Sequence, residues 1–78
     1  MLQRGIFGLM LWDVLPPDAR KRVVDDVAGA ILGSVADDGE LNVAKNVLST
    51  KSVDTREEIV GLMQAESVSA TQLGRLGL

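Results

Sequence analysis

PPDARKRVVDDVAGAILGSVADD, residues 16–38, carries the longest clear helical period in the chain and decides the fold class. Ala19, Val23, Val27, Ile31 and Val35 recur at every fourth position, and Val24, Ala28 and Leu32 widen the stripe beside them. Apolar residues at that spacing share one face of an α-helix, and that face must be buried. The residue before a proline is held out of the helical region, so Leu15 and Pro16 are expected to be extended. Pro17 then fits a first helical turn, where its missing N–H costs nothing, and Asp18 complements the positive end of the helix dipole. The spacing predicts a helix over 17–36.

The rest of this stretch divides into charges and glycines. Arg20, Lys21 and Arg22 precede Asp25 and Asp26, so Lys21–Asp25 and Arg22–Asp26 are expected to pair along a solvated face. Gly29 and Gly33 have the small-xxx-small spacing. Each glycine inside a helix costs roughly 1 kcal/mol relative to alanine. Such a cost is tolerated where a second backbone approaches closely, within the chain or in a second copy of it.

Upstream, GIFGLMLWDVL at residues 5–15 is almost wholly apolar, and its large side chains are spread around the helix. A helix apolar on all sides is buried in protein or in lipid. Eleven residues make about 16 Å of helix, roughly half a bilayer core, so the segment is too short to span. It reads as a core helix or as an arm packed on another subunit. A membrane-inserting arm over residues 1–15 is the alternative, although interfacial helices usually carry a basic face and Arg4 is the one basic side chain here. Asp13 interrupts the apolar run, and no small-x-small cleavage site precedes Pro16, so secretion is not expected. Ile6, Phe7, Leu9, Met10 and Trp12, together with Gly29 and Gly33, are the candidate interface residues.

Downstream, three shorter helices are expected. Asp37-Asp38-Gly39-Glu40 reads as a turn in which Gly39 takes the left-handed conformation and Asp37 or Asp38 caps the next helix. A helix over 40–50 buries Leu41, Ala44 and Leu48. A helix over 54–66 starts on Asp54 with Glu57 three residues on, the spacing of a capping box, and buries Ile59, Val60, Leu62 and Met63. Ser69 caps a last helix over 69–76 with Leu73 and Leu76 inward.

Composition bounds the chemistry. The 78 residues are one domain's worth and lack cysteine, histidine and tyrosine. That leaves no disulfide, no thiolate and none of the usual nucleophile–base pairs, and it removes most zinc sites. The paired carboxylates Asp25–Asp26, Asp37–Asp38 and Glu57–Glu58 are adjacent in sequence, and adjacent helical residues point about 100° apart rather than at one atom. Taking Gly39 as the sixth position of a calcium loop puts Ala36 and Lys45 where ligands belong, which excludes an EF-hand. The glycines of GAILG lack the Lys-Ser/Thr of a phosphate loop. No catalytic residue, metal, cofactor or small-molecule substrate is expected. A net charge of −3 and a single Phe and Trp argue against nucleic-acid binding.

REEIVGLMQAESVSATQLGRLGL, residues 56–78, resembles the opening of a winged-helix or helix-turn-helix domain, in which a helix is followed by a Ser-x-x-x-Leu helix and a Leu-Gly turn. The resemblance implies DNA reading by a recognition helix, which would begin where this sequence reaches Leu78.

The expected fold is all-α: a compact bundle of four to five short helices in a single domain over 1–78, with orthogonal or irregular packing. A chain this short buries only about 60% of its unfolded surface, and without disulfides or a metal, association is the support left to it. The expected function is a non-enzymatic protein–protein interaction or assembly protein, a homo-oligomer of prokaryotic or phage type, cytoplasmic or part of a virion. The alternatives are a membrane-associated small protein using residues 1–15 and a DNA-binding regulator using a partial helix-turn-helix at 56–78.

Overall fold

The central helix, α2, spans Pro17–Leu32 in the computed structural model, which describes residues 2–78. Before it come α1, Gln3–Met10, and a single 3-10 turn, Trp12–Val14; after it come α3, Asp38–Ser49, α4, Val53–Ala65, and α5, Ala70–Gly74. There is no strand among the described residues, so the chain is an all-α bundle of five short helices. α2 lies at its centre, packed on α1 along one side and on α4 along another, while α1 also packs on α3. The whole measures 27 × 21 × 21 Å.

The apolar period of α2 becomes the core. Val23, Val24, Val27, Ala28 and Ile31 are buried against Leu2, Leu9 and Trp12, and Leu41, Ala44 and Leu48 of α3 join the same cluster. Ile59 and Met63 of α4, with Val68, Leu73 and Leu76, complete it. No polar side chain is buried among the described residues.

α2 stops at Leu32, short of the expected residue 36. Ser34 takes a left-handed conformation (φ 55°). Its N–H bonds back to Ile31 O at 3.2 Å, and the N–H of Val35 reaches Ala30 O at 3.0 Å. These two reversed bonds satisfy the last carbonyls and end the helix. α4 ends the same way on Ser67 (φ 68°), with Val68 N–H on Met63 O at 3.1 Å. The role expected of Gly39 therefore belongs to Ser34. Gly39 lies instead in the first turn of α3, which Asp37 caps. Asp37 Oδ1 accepts from Glu40 N–H at 2.7 Å, and Glu40 Oε1 accepts from Asp37 N–H at 3.1 Å, a reciprocal capping box.

The start of α4 also differs from expectation. Ser52, not Asp54, is the cap, and its Oγ accepts from Thr55 N–H at 3.1 Å. Val53 is already helical, so Asp54 sits inside the first turn, where its charge still suits the dipole. Ser69 caps α5 as expected, with Gln72 returning the bond to Ser69 N–H at 2.8 Å.

Candidate functional site: the outer face of the first helix

α1 and the turn after it present two stripes. Gly5, Leu9 and Trp12, preceded by Leu2, face inward and are buried. Phe7, Met10, Leu11 and Val14 face outward and are 55%, 56%, 43% and 78% exposed. The inner stripe is spaced i, i+3, i+7, i+10 and the outer one i, i+3, i+4, i+7, and the two lie on roughly opposite faces, about 170° apart in helical rotation. An amphipathic helix would place polar groups on the outer stripe. α1 and the turn after it place four large apolar side chains there.

The inner stripe works because its small members let α2 come close. A methyl group built on Gly5 would lie 2.7 Å from Val27 Cγ2, and one on Gly8 would run into both γ-carbons of Val23. The close packing anticipated from glycine spacing is thus present in the fold, but at Gly5 and Gly8, where the side chains of Val27 and Val23 occupy the space a methyl group would need. At Gly29 a methyl group would meet nothing within 4 Å, and at Gly33 it would meet only the carbonyl of Gly29 at 2.9 Å. Both glycines are exposed, and among the described residues nothing of another helix comes within 4 Å of a methyl group built at either position.

A groove flanks the outer stripe on each side. Between α1 and α3 an open groove of about 670 Å³ is lined by Ile6, Phe7, Met10 and Val43, with Asp37 and Glu40 at its rim. It runs on past Met10 and Val43 towards Val47 and Lys51. Between α1 and α2 a second groove of about 500 Å³ is lined by Phe7, Leu11, Leu15 and Val23, with Arg4, Arg22 and Asp26 at its rim. Phe7 is the crest between the two. The base of this face is fixed in place: Lys51 Nζ donates to Met10 O at 3.0 Å, capping the end of α1, and sits 3.8 Å from Asp13.

Of the candidate interface residues, Phe7 and Met10 lie on this outer face and Ile6 is half-buried in its groove. Leu9 and Trp12 do not: both are fully buried in the chain's own core. Gly29 on α2 and Gly33 just past its end lie outside both grooves. Leu11 and Val14 also belong to the face, beyond the candidates drawn from the sequence. Their spacing from Phe7, at four and seven residues, is the signal that points to them.

The charges of α2 are placed by tertiary contacts. Among the described residues neither Lys21–Asp25 nor Arg22–Asp26 forms an ion pair. Arg22 reaches back to Asp18 at 3.9 Å. Arg20 leaves its helix surface to bond Glu58 on α4 through Nη1 at 3.0 and 3.1 Å and the carbonyl of Trp12 through Nε at 3.1 Å. Arg75 is bonded to Asp38 at 3.2 Å. Two carboxyls depart from ordinary behaviour. The backbone N–H groups of Leu2 and Asp37 hold Glu40 below the usual glutamate range. Glu66 is pushed up, first by a hydrogen bond shared with the Asp25 carboxyl and then by partial burial and the charge of Asp25. Among the described residues no three side chains of metal-binding type come together. No helix of the described residues is long and apolar enough to cross a membrane.

No protein-family model, curated protein or solved structure matches this chain.

Proposed function

We propose that the chain is a non-enzymatic protein–protein interaction or assembly module that associates with itself through the outer face of α1. The observation that carries this reading is the exposed stripe Phe7–Met10–Leu11–Val14, backed by an α1 whose inner side is already fully used by the core. An aromatic ring and a methionine on a helix, with two branched aliphatics on the turn that follows it, are residue types that anchor protein interfaces. Contiguous exposed apolar surface of this kind marks contact sites in soluble proteins. Sedimentation velocity over a dilution series tests the reading: a dimer that dissociates on dilution is expected, and a monomer at tens of micromolar removes self-association. Co-flotation with anionic and neutral vesicles tests the competing use of the same face as a membrane contact, and no binding to either is expected.

A further inference from the structure

Building on that self-association reading, we infer that the two copies meet with their α1 helices parallel, so that the Arg4 side of each faces the Asp37–Glu40 side of the other. The two grooves beside Phe7 differ in charge. The rim on the α2 side carries Arg4 and Arg22 with Asp26, while the rim on the α3 side carries Asp37 and Glu40. Arg4 makes no ion pair among the described residues. Level along α1 matters as well as side. Glu40 accepts a hydrogen bond from Leu2 N–H at 3.1 Å, so the acidic rim stands beside the N-terminal turn that also holds Arg4.

A two-fold axis running along α1 keeps that level and exchanges the sides, which brings each basic rim against an acidic one, twice by symmetry. A two-fold axis across α1 does the reverse. It keeps the sides, setting α3 against α3, and sends Arg4 to the far end of the partner's helix. Complementary rims with an apolar crest between them fix orientation, while the crest supplies most of the attraction. With the crest inserted in the neighbour's groove, the interface closes on itself and stops at two copies.

The chain has no cysteine, so single cysteines report the orientation without background from native thiols. Gln3→Cys and Met10→Cys mark the two ends of the face. Residues 3 and 10 lie about 10 Å apart along the helix, beyond the roughly 7 Å Cα separation that a disulfide spans. With parallel helices each variant alone oxidises to a covalent dimer. Gln64→Cys, which lines neither groove, gives the collisional background and stays monomeric. Arg4→Glu is expected to weaken the dimer about tenfold in sedimentation, since two symmetric pairs are lost and two repulsions gained. If the dimer forms but only a mixture of the two variants crosslinks, the helices are antiparallel and the inference is overturned while self-association stands. If the wild-type chain stays monomeric, or floats with vesicles as a monomer, the underlying reading fails first and the inference fails with it.

Discussion

Trp12 Nε1 donates a hydrogen bond to Glu58 Oε1 at 2.8 Å, tying the end of the N-terminal segment to α4 across 46 residues of chain. Arg20 closes the arrangement, with its guanidinium on the same carboxylate and 5.4 Å from the centre of the Trp12 ring. The indole is fully buried, so its N–H has no water to fall back on. Removing the partner of a buried donor costs about 1–3 kcal/mol. Glu58→Ala is therefore expected to destabilise by about 2 kcal/mol, and Glu58→Gln, which keeps an acceptor for the indole, by about half as much. The fluorescence of the single tryptophan, followed through urea unfolding, reads both.

The glycines separate into two classes with opposite signs. Gly8→Ala forces a methyl group into the branched side chain of Val23, which cannot swing aside, and overpacking of this kind costs about 1–3 kcal/mol. Gly29→Ala meets open space and gains helix propensity, so it is expected to stabilise by roughly 1 kcal/mol. Thermal unfolding of the two variants should move in opposite directions. A loss of stability at Gly29 would show that something packs there.

Ser34 and Ser67 hold left-handed conformations at the ends of α2 and α4. A side chain in that region costs about 1–2 kcal/mol relative to the glycine normally found there. Ser34→Gly and Ser67→Gly are each expected to raise stability by about 1 kcal/mol in chemical denaturation, and additively, because the two sites terminate different helices.

The two perturbed carboxyls act in opposite directions with pH. Glu40 is held below its ordinary value by backbone donors, so its contribution is present above the unfolded-state pKa and is lost as pH falls through the lower folded value. Glu66 is raised, chiefly by the hydrogen bond with Asp25, so its contribution is present below the unfolded-state pKa and is lost as pH rises through the higher folded value. Glu66→Gln keeps a donor for Asp25 at every pH. It is expected to raise the melting temperature slightly at neutral pH and to have no such effect in acid. Glu40→Gln should remove part of the acid-side loss.

The fold class was legible because the period of Val23, Val27 and Ile31 is local and strong, and Pro17 and Ser69 mark their helix starts clearly. The features that escaped the sequence depend on partners remote along the chain. Spacing shows that Arg20 lies on a helix surface, but not that Glu58 waits on another helix. It shows that Gly29 and Gly33 are close in a helix, but not whether a neighbour comes to them or to Gly5 and Gly8. A helix apolar on all sides hides which stripe is inner, and in α1 only the two glycines, Gly5 and Gly8, distinguish the packed side. The end of α2 was missed because Ser34, a non-glycine residue, takes the left-handed turn, and serine at that place carries no distinctive signal.

The most direct test compares sedimentation of the wild-type chain with that of a Phe7→Ser/Met10→Ser variant. Both positions are exposed, and surface substitutions away from core contacts usually change stability by no more than about 0.5 kcal/mol, so the variant keeps its fold. The wild type is expected to sediment as a dimer that dissociates on dilution, and the variant as a monomer with an unchanged melting temperature. A wild type that remains monomeric at tens of micromolar, or a variant that dimerises as well as the wild type, contradicts the assignment of the outer face of α1 as the contact surface.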